Sequence, residues 1–429
     1  MEMATAEKAI VQDEQDGLGA HKPACRFCGS VLSESFVDLG MSPPCQTHIE
    51  PRQLNHMEPF YPLHARVCAS CLLVQVPEFQ SPERIFSEYA YLSSMSDSWL
   101  EHCRRYATDM VGRLGLDGSR LVVEVASNDG YLLRFFKELG ISVLGIEPAA
   151  NVAAIAERAG VPSIPRFFGT ELASELVAKG TRADLLVGNN VLAHVPNLND
   201  FVRGLAILLA EEGVLTMEFP HLGKLIAHSQ FDTIYHEHFS YFSLSTAAKV
   251  FASHGLRVFD VDELPTHGGS LRIFACHEAH GHPTSPRVAA VLDAEGHEGL
   301  RALETYERFA ARAQHVKFSL LEFLIACKRR GERIAAYGAA AKGNTLLNYC
   351  GVRTDFIDYV ADRSPLKQGK LLPGTRIPVV APERIAETRP HYVLILPWNI
   401  RDEVARQLAY VRDWGGRLVV PIPTIEVMP

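Results

Sequence analysis

The feature that most constrains this chain is a pair of thiol doublets near its start, "CRFCG" and "CASC", carrying Cys25, Cys28, Cys68 and Cys71. Each doublet presents two sulfurs from one tight turn, and four thiolates brought together suit tetrahedral zinc. Strand-like pieces such as "SFVDLG" lie between the doublets, so a small zinc-binding unit is expected over residues 21–75. The other five of the nine cysteines are scattered singly, which argues against a disulfide framework. With sulfur in all four positions the metal keeps no open coordination site. The zinc is therefore expected to be structural, and the chemistry has to lie elsewhere.

At 429 residues the chain is too long for one core and should divide into several domains. Hydrophobic residues at 47% and charged residues at 21% are ordinary for a soluble globular protein. A net charge of -8 offers no basic surface, which disfavours nucleic-acid binding as the main role. No apolar run reaches the roughly 18 residues that a spanning helix requires. Residues 1–20 are acidic early and lack an apolar core, so they read as a loose tail rather than a secretory signal. The expectation is a cytoplasmic protein with no membrane partner.

From about residue 119 the pattern becomes strand, turn, helix, strand. "RLVVEVA" is a short buried strand, "SNDGYLLRFFKELG" a turn and helix, and "SVLGIEP" a second strand; "ADLLVGNNVLAHV" and "GVLTMEFP" supply later ones. This is an α/β doubly wound, Rossmann-like unit, whose ligand is expected at the carboxyl ends of its strands. Glu124 lies in the first strand, and Glu147 ends the second, where a carboxylate can accept hydrogen bonds from ribose hydroxyls. The turn "ASNDG" is not GxGxxG, because Ala126 and Asn128 stand where glycines often occur. A pyrophosphate needs closer backbone approach than this turn offers, whereas a nucleoside without phosphates tolerates it. S-adenosylmethionine is preferred over a dinucleotide on that ground.

Before this unit lies a polar, aromatic connector, "FSEYAYLSSMSDSWLEHCRRYATDMVGRL", with Tyr89 and Tyr91 ahead of a serine-rich turn. After it, residues 275–330 read as mainly helical, and a second α/β unit opens at "RIAAYGAAAKGNT". Small residues with Lys342, Asn344 and Thr345 at a helix start make a candidate anion cradle, though not a Walker loop, and Asp362 and Arg363 follow the next strand. Between the two units, "DTIYHEHFSYFS" packs two histidines, a glutamate and two tyrosines into a dozen residues. Its HEH spacing is not HExxH and no third ligand is evident, which favours acid/base work over a metal pair.

These pieces, in this order, resemble the sugar C-methyltransferases of the class I S-adenosylmethionine superfamily. The resemblance covers nearly the whole chain and is carried by "VASNDGYLL", by "YHEHFSYFS" followed by "HGGSLR", and by "YGAAAKGNT". It implies a zinc-binding domain (21–75), a methyltransferase domain with its connector (76–275), and a helical linker with a C-terminal Rossmann-like domain (276–429). It also implies a monomer in preference to a homodimer. The implied donor contacts are Glu124, Ala126, Asn128, Gly130, Glu147 and Asn189. The implied acceptor is a nucleotide-linked 4-keto-6-deoxysugar, bound between the middle and C-terminal domains, with His267, Arg272, Lys342, Asn344 and Thr345 on the substrate side.

Methylating carbon needs a nucleophilic carbon, and C3 beside a C4 ketone becomes one when its proton is removed. A histidine suits that task near neutral pH. By resemblance His238 is the base, Glu237, Tyr235 and Tyr89 orient and hydrogen-bond around the sugar, and His194 has a secondary role. His236 alternates with His238 along an extended segment and is expected to point away. Two other readings stay open on sequence alone: an NAD-dependent nucleotide-sugar oxidoreductase, and a zinc-stabilised scaffold without turnover.

Overall fold

The computed structural model describes residues 23–86, 92–95 and 97–428. Three sheets organise them. The first is built from β1 (Glu34–Ser42), β2 (Tyr61–Val67) and β3 (Val74–Gln75), all antiparallel. Its fourth strand comes from far along the chain: β9 (Ser240–Tyr241) pairs with β3, setting Val74 opposite Tyr241 and Gln75 opposite Ser240.

The central sheet uses β4 (Leu121–Val125), β5 (Ser142–Ile146), β6 (Ser163–Ile164), β7 (Ala183–Asn189), β8 (Leu209–Pro220), β10 (Leu256–Leu264) and β11 (Ser270–His277). Their spatial order is β10-β11-β8-β7-β4-β5-β6. Strands β4 to β8 run parallel, and β10 and β11 add an antiparallel edge. Strand order reverses between β4 and β7, so a crevice opens there at the carboxyl ends. Helices cover both faces, which is why "LVVEV" reads as an unbroken apolar run interrupted only by Glu124. Val123 and Val125 pack with the helices 170–178, 198–208 and 244–252, while Val122 packs with the helices 97–114 and 133–138.

The C-terminal sheet takes the order β14-β13-β12-β15-β16-β17. Its strands are β12 (Ile334–Tyr337), β13 (Val360–Ala361), β14 (Val379–Val380), β15 (Tyr392–Ile395), β16 (Arg417–Val420) and β17 (Glu426–Met428). All pairs but the last are parallel. A long helix, Phe309–Arg329, links this unit to the centre. The N-terminal sheet shares its core: Phe36 of β1 stacks on Phe309 with ring centroids 4.4 Å apart.

Candidate active site

The four doublet cysteines converge as their spacing implies. Their sulfurs all lie within 4.8 Å of one another, with Cys25 to Cys71 at 3.6 Å and Cys28 to Cys68 at 3.5 Å. Four sulfurs at Zn–S distances of about 2.3 Å sit ~3.8 Å apart in a tetrahedron, so the set fits zinc. Gln75 of β3 donates its Nε2 to Cys25 Sγ at 3.2 Å. The knuckle is thereby tied to the strand that carries β9.

The donor cradle forms where β4 ends. Ala126 and Asn128 both hold positive φ (59° and 48°), and Gly130 does so at 76°, which coils the turn tightly over the sheet. Positive φ at a non-glycine residue is strained, and here two such residues stand almost side by side. Glu147 at the end of β5 fastens the turn. Its Oε2 accepts from the Asn128 N–H and its Oε1 from the Ala149 N–H, each at 2.9 Å. Each oxygen keeps a further lone pair, as a ribose diol would require. Burial pushes the Glu147 carboxyl up, and those two N–H bonds oppose it. Glu124 is fully buried beneath the turn beside Tyr131, and burial pushes its carboxyl well above the usual range. Asn189 ends β7 at 6% exposure, with neither amide atom hydrogen-bonded. A buried polar group without a partner costs about 1–3 kcal/mol, so this amide is poised for a ligand. The connector reaches the same turn: the N–H of Ser93 donates to Asn128 Oδ1 at 2.9 Å and that of Ser94 to Asp129 Oδ2 at 3.3 Å. Tyr89 lies outside the described residues.

The histidine segment stands two strands away, at the carboxyl ends of β7 and β8. Adjacent strands lie about 4.8 Å apart, so the segment is within a ligand's length of the turn. A small cavity is lined by Ala193, Phe219, Pro220, Thr233, His238 and Tyr241, among others. His238 sits half-buried in its wall with Nδ1 against the Thr233 carbonyl at 2.9 Å. His194 sets its own Nδ1 on the Glu237 carbonyl at 2.8 Å, and the two imidazoles meet edge to face at 4.6 Å. Tyr235 packs on His238 with ring centroids 4.0 Å apart. Loss of hydration lowers both imidazoles: His194 to about 4, and His238 well below its ordinary value, with the neighbouring His194 adding to the effect. His236 turns the other way, its Nε2 3.2 Å from the Pro62 carbonyl. The Glu237 carboxyl also faces the N-terminal unit, where Cys45 Sγ donates to its Oε1 at 3.4 Å. Burial raises Glu237 to about 7 and keeps the Cys45 thiol protonated.

The substrate-side residues divide. His267, held at positive φ (54°), shares a hydrogen bond with Asn190 Nδ2 at 3.2 Å, and dehydration lowers its ring to about 4. Lys342 lies half-buried over the Trp398 indole (4.8 Å to the centroid), its Nζ donating to Asn399 Oδ1 at 2.9 Å. Dehydration lowers the ammonium to about 8, although Asp232 opposes that. Asn344, at 1% exposure, has neither side-chain amide atom hydrogen-bonded. Two residues read from the sequence as substrate contacts also have partners within the chain. Arg272 is buried, its Nη2 on Glu218 Oε2 at 2.6 Å and its guanidinium over the Tyr106 ring. Burial alone would raise Glu218, but His102 and Arg272 hold it down at about 2. Thr345 donates its hydroxyl to the Ile234 carbonyl at 3.2 Å and so ties the C-terminal helix to the histidine segment. Asp362 joins two loops, accepting from the Ala339 N–H after β12 at 2.7 Å and from the Ser364 N–H of its own loop at 2.8 Å, while Arg363 is exposed.

Sequence reasoning assigned no role to Asp232, Trp398, Cys45 or Asn190. Asp232 opens the polar segment and Asn190 follows a strand end, which were usable signals. Cys45 and Trp398 reach the site only through domain packing.

Three family models match in succession: "Putative zinc binding domain" over residues 25–86, "Methyltransferase domain" over 99–261, and "C-methyltransferase C-terminal domain" over 265–423. The chain is 37% identical over 404 residues to the C-methyltransferase NovU of Streptomyces niveus, covering 94% of this chain and 96% of that one. It belongs to the C-methyltransferase family. A shorter likeness, 35% over 105 residues, links it to the ubiquinone biosynthesis O-methyltransferase of Methylobacterium sp. (strain 4-46), covering 24% and 41% of the two chains. Among solved structures, magnesium protoporphyrin IX methyltransferase of Synechocystis PCC 6803 is 16% identical with a TM-score of 0.32, covering 46% of this chain and 88% of that one. This C-methyltransferase takes its methyl group from S-adenosylmethionine and carries a zinc-binding domain. The oxidoreductase reading falls with that membership. Among the described residues no helix is long and apolar enough to cross a membrane.

Proposed function

We propose that this C-methyltransferase acts at C3 of a nucleotide-linked 4-keto-6-deoxysugar, with His238 removing the C3 proton to give an enolate. The observation that carries the reading is the hydrogen bond from His238 Nδ1 to the Thr233 carbonyl. A carbonyl only accepts, so Nδ1 must hold the proton and Nε2 keeps its lone pair, on a ring that lines the cavity. Dehydration keeps the ring neutral, which is the form that takes a proton. The low basicity is offset when the imidazolium forms beside a nascent enolate, because opposite charges attract strongly where water is thin.

Around that base, Tyr235 and Tyr89 orient the sugar and hydrogen-bond to it, and His194 faces the same ring. Glu237 is half protonated near pH 7 and steadies the segment from the N-terminal side. The donor is placed by Glu124, Ala126, Asn128, Gly130, Glu147 and Asn189, and it supplies an electrophilic methyl on a positively charged sulfur. His267, Lys342 and Asn344 face the nucleotide end of the acceptor across the gap between units. The protein works as a cytoplasmic monomer in deoxysugar biosynthesis for a natural product or a polysaccharide.

A panel of nucleotide sugars incubated with labelled donor tests the reading. Label should enter the 4-keto-6-deoxy compounds on carbon and leave their 4-hydroxy counterparts unmarked. Equal labelling of both, or label on oxygen, would overturn it.

A further inference from the structure

The carbonyl that orients His238 belongs to Thr233, and the residue before it is the fully buried Asp232. One of its oxygens, Oδ2, accepts the indole N–H of Trp398 at 2.7 Å, a contact made across 166 residues of sequence. Trp398 comes from the loop after β15, in the C-terminal unit. Its ring lies under the Lys342 ammonium and against the turn at Gly268, where an added Cβ would stand 2.5 Å from the indole. Only glycine admits the indole there. On the same side of the turn, Gln230 Nε2 stands 2.7 Å from that added Cβ and donates to the Gly268 carbonyl at 2.9 Å, so the indole is held where residues 230, 232 and 268 meet.

We infer that Asp232 is a positioning residue: through its bond to Trp398 it lets the C-terminal unit fix the 231–233 turn, and with it the tautomer and aim of His238. A rigid carbonyl at Thr233 is what keeps the proton on Nδ1. If the turn swings, the imidazole loses that partner and Nε2 no longer points at one place. The C-terminal unit thus prepares the base as well as offering a surface to the nucleotide. Asp232 and Trp398 need not touch the reacting atoms for this. The inference rests on His238 being the base.

The test is solvent hydrogen exchange at C3 of a 4-keto sugar nucleotide, in deuterated water without methyl donor and at saturating sugar. Trp398→Phe keeps an aromatic ring under Lys342 and removes the N–H; it should slow exchange by about 10²-fold, the loss that a misplacement of about 1 Å can cause. Asp232→Ala should do the same, and Asp232→Asn, which restores an acceptor for the indole, should recover about tenfold over the alanine variant. Affinity for S-adenosylhomocysteine should not change in any of the three, whereas general unfolding would lower it. Wild-type exchange in both Trp398→Phe and Asp232→Ala overturns the inference, as does equal loss in the asparagine and alanine variants. His238→Asn separates the two failures. If it abolishes exchange while the Trp398 variant is normal, only the positioning role falls; if it exchanges normally, the base assignment falls and the positioning role with it.

Discussion

His238 Nδ1 lies 2.9 Å from the carbonyl oxygen of Thr233, five residues back in the same segment. That contact fixes which nitrogen is free, and dehydration fixes which protonation state fills it. The pH dependence follows from the sign of the shift. An imidazole lowered well below its ordinary 6.5 stays neutral down to that lower value. With Glu237, which titrates near 7, replaced by Gln, the rate of C3 exchange should therefore hold level from pH 8 down past 6.5 and fall only below it. A half-maximal point at or above 6.5 would mean that the ring is well hydrated and the cavity wrongly described.

Glu147 fastens the turn, and on the proposed reading it also holds the ribose of the donor. Removing its carboxylate strips two N–H bonds from the turn and two acceptor sites from a ribose, each charged bond being worth about 1.5–3 kcal/mol. Glu147→Ala should weaken S-adenosylhomocysteine binding by roughly 10–100-fold in calorimetry, a loss of the size of one such bond. An unchanged affinity would place the nucleoside elsewhere.

Much of the central unit was legible because local pattern and tertiary role agree there. "LVVEV" is apolar throughout since helices cover both faces of β4, and "ASNDG" bends where Ala126 and Asn128 take positive φ. The two CxxC doublets were legible for the same reason, each being a complete local turn. What the sequence hid depends on distant partners. Arg272 sits in "THGGSLR", a polar turn and strand start that reads as ligand-facing, yet Glu218 claims it from the neighbouring strand 54 residues away. Thr345 reads as part of an anion cradle, and its bond to a carbonyl 111 residues earlier was not legible. No periodicity reports on such pairs, and the Asp232–Trp398 contact is of the same kind.

Glu237 makes a stability prediction. Its carboxyl is raised from an ordinary 4.5 to about 7, so the native state holds the proton more tightly than the unfolded chain does. The stability this gives is fully present below about 4.5 and is lost as pH climbs through about 7, up to about 3 kcal/mol in all. His194, lowered to about 4, works in the opposite direction between about 4 and 6.5, so the comparison must be between variants. Glu237→Gln should flatten the decline in denaturant-measured stability between pH 5 and pH 8. Parallel curves for the variant and the wild type would show that the carboxyl is ionised throughout.

Zinc removal should be felt beyond the knuckle. Gln75 bonds Cys25 Sγ and pairs with Ser240, and the Val76 N–H donates to the Phe239 carbonyl at 3.0 Å. Cys28→Ser should lower the metal content from about one zinc per chain toward none. It should also speed amide hydrogen exchange at residues 239–241, next to the base. Exchange confined to residues 25–75 would show that the two regions are independent.

The central claim, that one neutral imidazole makes C3 of a keto sugar nucleophilic, is tested most directly by following deuterium into that carbon in the absence of donor. Wild-type protein should wash the C3 hydrogen out of a nucleotide-linked 4-keto-6-deoxysugar, and His238→Asn, with S-adenosylhomocysteine binding intact, should leave it in place. Undiminished wash-out in that variant would contradict the account.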